Sequence, residues 1–251
     1  DQGKLEETIE AYKKAASFAP KNLGYQFKHD FAFPKIPLNT NELSFYRDKF
    51  TENVVLLGKQ EIDNSRAELP TDPRFQLSYQ NCSNLEIFQN LSIAIRRGFP
   101  QVNYNVNFTS SPKLSKGSRV KVAFCSKFLT NHTIGKLFKG IISNLCDTRF
   151  EVYVIHHPKT NYEVFWKDVN KENLNHIVLP PDFSSQKKCL EALRLDTLIF
   201  TDIGMDGLNY SLAHCRFASQ QIVSWGHPDT TGISTIDQFI SSDLIEPYNA
   251  Q

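Results

Sequence analysis

The sequence predicts an α/β protein in which a Rossmann-like parallel sheet follows an α-helical segment. Three observations predict it. From Val120 onward, short apolar runs alternate with amphipathic stretches joined by short loops, the pattern of a parallel sheet covered by helices on both faces. Before residue 100 the apolar residues recur at helical spacing instead. Between the two lies a loose stretch containing Ser110-Ser111-Pro112 and Ser115-Lys116-Gly117-Ser118, a composition that marks turns and linkers rather than packed elements. A domain boundary is expected there, between Asn107 and Arg119.

The helical part reads in order as follows. Leu5, Ile9, Tyr12 and Ala16 recur at spacings of three and four, so residues 4 to 18 form an amphipathic helix that Pro20 stops. Residues 21 to 39 carry Phe27, Phe31, Phe33, Pro34 and Pro37 and read as an irregular segment pinned by buried rings. Asn39-Thr40-Asn41-Glu42 offers N-caps for a helix to about Leu57, with Leu43, Phe50, Val54 and Leu57 on its apolar stripe. A polar linker from Asp63 to Asp72 ends at Pro73, and Phe75 to Tyr79 is a short apolar run. Ser83 or Asn84 then opens a helix from Leu85 to Arg97. Leu85, Phe88, Leu91 and Ile95 face inward, and Gly98-Phe99-Pro100 closes it.

In the α/β part, strands are predicted at Val120 to Cys125, Phe150 to Ile155, His176 to Leu179, Thr197 to Phe200, Gln221 to Ser224 and Gln238 to Ile240. Helices are predicted at Ile134 to Leu145, Glu163 to Lys171, Ser184 to Leu195 with Ser184 as N-cap, and Leu208 to Phe217.

Composition narrows the function. The chain has 251 residues, of which 40% are hydrophobic and 22% charged, as in an ordinary globular protein. A net charge of +1 gives no reason to expect nucleic acid or a membrane surface as partner. No apolar run approaches the roughly 20 residues of a membrane span. The N-terminus is not a signal peptide and lacks an initiator Met, so the chain reads as a fragment. Cys82, Cys125, Cys146, Cys189 and Cys215 are odd in number and widely spaced. They read as free thiols of a reducing compartment, hence a cytoplasmic protein, and no cluster has metal-ligand spacing. Sequons such as Asn81-Cys82-Ser83 and Asn107-Phe108-Thr109 are then chance matches.

In an open parallel sheet, ligands bind at the loops that leave the strands' C-terminal ends. The richest of these is Ser224-Trp225-Gly226-His227-Pro228-Asp229-Thr230-Thr231-Gly232. Its glycines let a backbone come close, Pro228 fixes one φ, and His227, Thr230 and Thr231 supply polar groups. An ordinary turn between strands has the same composition. His132 stands at the start of a helix, where it either meets a ligand beside free backbone N–H groups or caps the helix. Asp202 and Asp206 are candidate general bases, with helix capping the alternative for Asp206. His156-His157 lacks a third ligand at metal spacing. No GxGxxG follows the first strand, and neither a Walker loop nor a GxSxG elbow occurs.

Together and in order, four stretches resemble the catalytic region of glycosyltransferase family 41, which holds the protein O-GlcNAc transferases, the SPINDLY proteins and the HMW1C-type N-glycosyltransferases. Ser126-Lys127-Phe128 through Asn131-His132 looks like that family's S-x-F…H motif. Asp202-Ile203-Gly204-Met205 looks like its D/S-I-G-M. Arg216-Phe217-Ala218-Ser219-Gln220-Gln221-Ile222 resembles R-L/P-A-P-I/V-Q-x, and Gly226-His227-Pro228-Asp229-Thr230-Thr231-Gly232 resembles G-H/Y-P-x-T-T/S-G. The resemblance covers about residues 119 to 251. At the N-terminus, Gly3, Thr8, Tyr12, Ala15 and Pro20 resemble the second half of a tetratricopeptide repeat, and such repeats precede the catalytic region in that family. Lys127, the loop before His132, which is one residue longer, and Ser219 depart from the family pattern.

The resemblance implies a layout: residues 1–22 end a tetratricopeptide repeat, 23–117 form an α-helical connector, and 118–251 form the N-terminal Rossmann-like half of a GT-B fold. It implies an inverting, metal-independent transfer of a sugar, GlcNAc first, from a nucleotide-sugar such as UDP-GlcNAc to Ser or Thr of a protein or peptide. No cofactor is implied. His132 is the expected catalytic residue. Gly226, His227, Pro228, Thr230, Thr231, Gly232, Asp202, Gly204 and Asp206 are the expected donor or substrate-binding set. The repeat segment allows further protein contacts. Two alternatives stay open: an N-glycosyltransferase using a UDP-hexose, and a repeat-based binding module with a degenerate catalytic domain.

Overall fold

The computed structural model describes residues 4–20, 22–34, 36–59, 69, 75–107, 118–169, 172 and 174–248. Gly3, the polar linker from Asp63 to Asp72, apart from Leu69, with Pro73, and the Ser/Pro/Gly-rich residues 110–117 all lie outside them. The chain divides into two compact units. The first holds residues 1–103, 204–214 and 229–234; the second holds 104–203, 215–228 and 235–251.

The first unit is built from helices. α1 (Leu5–Phe18) buries no residue and packs on α2 (Leu23–Asp30). α2 lies where an irregular segment was expected. Its start is fixed by Asn22, whose side chain accepts from the Gly24 N–H at 2.9 Å, and the two prolines that suggested irregularity fall after its end. The expected buried rings are present. Phe27, Phe31 and Phe33 are buried, and the Phe31 ring lies 4.8 Å from that of Phe50. α3 (Thr40–Lys59) carries Phe50, Val54 and Leu57 on its inner stripe and packs against α4 (Leu85–Gly98). In α4, Phe88, Leu91 and Ile95 are buried as expected, but Leu85 is 46% exposed. It is the first helical residue, off the stripe the other three define.

The second unit holds six parallel strands in the order β3-β2-β1-β4-β5-β6. They are β1 (Val120–Cys125), β2 (Phe150–His156), β3 (Leu174–Val178), β4 (Leu195–Phe200), β5 (Ala218–Ser224) and β6 (Gln238–Ile240). The crossovers carry α5 (Thr133–Ser143), α6 (Glu163–Trp166), α7 (Phe183–Leu193) and α8 (Gly207–Ala213), the last counted in the first unit. Val122 to Cys125 and Val152 to His156 are buried without interruption. Alternate residues of a strand face opposite sides, so an unbroken buried run means that both faces are covered. The order is that of a doubly wound Rossmann sheet, whose direction of progression reverses between β1 and β4.

Several boundaries shift. His156 completes β2 rather than opening the loop, pairing with Val178 of β3. The α7 cap is Asp182, not Ser184; its carboxylate accepts from the Ser185 N–H at 2.9 Å. α6 stops at Trp166 instead of Lys171, and α5 at Ser143 instead of Leu145. α8 stops at Ala213 instead of Phe217. There Arg216 forms a bridge with Asn105, and the Phe217 N–H is taken by Gln221 Oε1 at 2.8 Å. The bridge requires extended chain at Arg216, and the Gln221 side chain takes an N–H that a continued helix would use for itself.

Candidate functional site

The sheet's switch point lies between β1 and β4, and the loop leaving β1 carries His132. Five contacts fix that loop. The Phe128 N–H donates to Ser126 Oγ at 2.9 Å. Trp166 Nε1 donates to the Leu129 carbonyl at 2.9 Å. The His132 N–H donates to the Thr130 carbonyl at 2.6 Å. The Phe128 ring stacks on the imidazole, centroids 4.5 Å apart. Gly135, in the first turn of α5, has no room for a Cβ, which would overlap the Thr130 carbonyl oxygen. Gly135 and Trp166 were not singled out in the sequence. Their role depends on a contact, which neither composition nor spacing reveals.

His132 is the N-cap of α5, and its Nδ1 accepts from the Ile134 N–H at 3.2 Å. Capping is therefore part of its role. The same bond assigns the ring. A neutral imidazole with Nδ1 as acceptor carries its proton on Nε2, so the half-buried side chain presents an N–H donor on its other nitrogen. A cleft of about 670 Å³ adjoins this loop, with Thr130, Asn131, Lys139, Asn161, Phe165 and Asp168 among its walls.

Across the switch point, Asp202 is fully buried and its carboxylate accepts from Thr201 Oγ1 at 2.8 Å. Gly226 follows β5. Its N–H donates to the Thr201 carbonyl at 2.9 Å, and a Cβ on it would overlap that same carbonyl oxygen. The loop after β5 is thereby laid backbone to backbone on the loop after β4. His227 is buried and Pro228 exposed. Within the second unit, then, the structure brings His132, Asp202, Gly226 and His227 to the C-terminal edge of the strands.

The remaining expected residues fall in the first unit. Asp206 caps α8, its Oδ1 accepting from the Leu208 and Asn209 N–H groups at 2.9 and 3.0 Å. Gly204 and Gly232 have φ of 120° and 62°, angles that favour glycine. Thr231 is buried, and its Oγ1 accepts from the Ile233 N–H at 3.2 Å. Thr230 donates its N–H to Asp229 Oδ1 at 2.8 Å.

The Arg216…Gln221 stretch is scaffolding. Arg216 and Asp237 form a two-pronged ion pair at 2.6 and 2.9 Å. The fully buried Gln221 amide ties down the Cys215 and Thr235 carbonyls as well as the Phe217 N–H. Arg216 holds the Asp237 carboxyl below the usual carboxylate range. His156 is likewise a packed residue. It is fully buried, stacks on Tyr162 at 4.0 Å and shares a 2.9 Å hydrogen bond with His176. Burial, then His176 and His157, push its pKa down to about 3. Among the described residues, no group of three His, Cys, Asp or Glu side chains could hold a metal, and no helix is long and apolar enough to cross a membrane.

No protein-family model matches the chain, and no curated protein does. Among solved structures, a mutant of the Thermobaculum terrenum O-GlcNAc transferase is similar, with a TM-score of 0.58 at 13% identity. The match covers 94% of this chain, which spans 44% of the length of that one. The likeness is one of fold: an O-GlcNAc-transferase-like glycosyltransferase fold with a six-stranded parallel sheet.

Proposed function

We propose that this chain is part of a nucleotide-sugar-dependent protein glycosyltransferase that moves GlcNAc from UDP-GlcNAc to Ser or Thr of a protein acceptor, with inversion and without a metal. The observation that carries the reading is the setting of His132: a pinned loop at the switch point, a half-buried side chain, and Nδ1 engaged by the helix, which leaves the ring proton on Nε2. The motif resemblance and the shared fold support the same reading.

In the reaction, the acceptor hydroxyl oxygen attacks the anomeric carbon as the bond to the diphosphate oxygen breaks. The hydroxyl proton is lost to a base, and the diphosphate leaves with the electron pair. His132, as an Nε2–H donor, orients or polarises the reactants. Gly226 and His227 approach the donor sugar through backbone groups, with Pro228, Thr230, Thr231 and Gly232 shaping that loop. Asp202, Gly204 and Asp206 belong to the same proposed set. Cationic groups or a helix N-terminus elsewhere in the full-length protein stabilise the leaving diphosphate.

The test uses the full-length protein with UDP-GlcNAc, UDP-glucose and GDP-fucose in separate reactions, reading mass added to a protein acceptor. Transfer from UDP-GlcNAc to Ser or Thr is expected. Modification of Asn with a hexose would favour the N-glycosyltransferase reading. Binding of none of the three donors would leave a partner-binding scaffold.

A further inference from the structure

Within the first unit, one buried polar residue joins the helices to the loop after β5. Asn84 stands at the N-cap position of α4 and is 4% exposed. Asn there ordinarily accepts from a backbone N–H of the first turn, but this side chain makes no such bond. Its Oδ1 instead accepts from Arg47 Nη1 at 2.8 Å. Its Nδ2 donates to the Leu77 carbonyl at 3.2 Å and to Asp229 Oδ2 at 2.7 Å. Both amide hydrogens and the carbonyl are thus in use. Arg47, on α3, also donates to Gln80 Oε1 at 2.8 Å and to the Ser83 carbonyl at 3.0 Å, which fixes the amide from behind.

Asp229 is the residue this network reaches, and its other oxygen accepts from the Thr230 N–H. Three residues on, Gly232 lies on α4: with φ of 62°, a Cβ there would overlap the backbone of Phe88 and Gln89. The segment 229–232 is therefore held to α4 twice, by an amide–carboxylate bond at the helix start and by backbone contact one turn later. Replacing buried polar contacts by apolar ones is often neutral for stability, so a network of this kind favours one particular arrangement of the chain.

We infer that Asn84, braced by Arg47, is a positioning residue that sets the Asp229–Gly232 segment for nucleotide-sugar binding, so that the helical segment governs donor affinity. The inference rests on the glycosyltransferase reading. The probe is UDP-GlcNAc with the full-length protein. Asn84→Asp keeps the shape and the Arg47 contact but sets a carboxylate against that of Asp229. It raises the KM for UDP-GlcNAc about tenfold, the scale of one lost charge-assisted hydrogen bond, with kcat changed less than about threefold. Combining it with Asp229→Asn restores a donor–acceptor pair and brings the KM back to within about threefold of wild type. A lowered melting temperature with unchanged KM would make the network structural only and overturn the inference. Should Asn84→Asp fail to fold, Arg47→Gln is read in its place: a raised KM supports the inference and an unchanged one overturns it. A wild-type protein that transfers sugar while both variants keep its KM refutes the positioning role alone. A wild-type protein that binds no nucleotide-sugar refutes the functional reading, and the positioning role with it.

Discussion

Two histidines stand near the C-terminal ends of neighbouring parallel strands, and the protein treats them oppositely. His132 follows β1, is half-buried, and engages only Nδ1 with its own helix. His156 ends β2, is fully buried, and is sandwiched by hydrogen bonding to His176 and stacking on Tyr162. The same side chain caps a helix in one place and packs inside the sheet in the other. What separates them is burial: the His132 side chain is half-buried, whereas His156 is fully enclosed and burial holds its pKa down. A histidine near a strand end thus becomes a site candidate only when its surroundings leave a nitrogen facing outward.

The largest effect that would break this contrast is the loss of His132. In the full-length protein, His132→Ala is expected to lower kcat by about 10²-fold or more, roughly 3 kcal/mol of transition-state stabilisation. The lost cap costs only about 1 kcal/mol of stability. Both are read on one variant, as turnover and melting temperature. Near-normal kcat with a lowered melting temperature would make His132 as structural as His156.

Acid tests the other side. His156 titrates near 3 in the folded chain and His176 is also lowered by burial, whereas the unfolded side chains take up protons near the ordinary value of 6.5. Below that value the unfolded state binds more protons, so stability is lost as pH falls from about 6.5 towards 3. For His156 alone the loss is about 2 kcal/mol by pH 5. Melting temperature against pH should fall over this window, and His156→Phe should flatten the curve. A flat wild-type profile would contradict the buried, neutral pair.

A smaller effect is expected from crowding the His132 loop. Gly135→Ala drives a methyl into the Thr130 carbonyl, costing about 1–2 kcal/mol and displacing the imidazole. Activity should fall further than stability predicts; an equal fall in both would mean the loop is not positioned from below. The smallest shift in stability belongs to His132→Asn. Asn is a good N-cap, so melting should stay close to wild type while turnover remains low. Recovered turnover would show that capping was the whole function.

The sheet was legible in the sequence because β1, β2 and β4 each hold a short apolar run, residues 122–125, 152–155 and 198–200, and the first two are buried on both faces. The α2 helix was not, because Pro34 and Pro37 dominate the composition of its neighbourhood while its cap is one modest Asn22. His156 was misplaced by one residue, since a polar side chain that finds its partner inside the sheet looks like loop until the partner is seen. At the candidate site, His132, Asp202 and the Gly226 loop were legible from position along the strands. Their supports were not. Asn84 and Asp229 are 145 residues apart in sequence, and nothing local to either one points to the other. Trp166 and Gly135 act through single backbone atoms of another segment.

The switch point between β1 and β4 also has a kinetic side. Its flanking strands are far apart along the chain: the Lys121 N–H meets the Asp196 carboxylate 75 residues later, at 2.8 Å. β1, β2 and β3 succeed one another and pair with neighbours in sequence, whereas β4 must return past all three to dock. Pairings at such separation carry a large loop-closure entropy and slow a fold down. The loops that leave β1 and β4 therefore lie side by side only once the most distant pairing in the sheet has closed. Any fluctuation that peels β4 from β1 parts the loop carrying His132 from the one carrying Asp202, so the vulnerability of that arrangement is that of a single strand–strand seam.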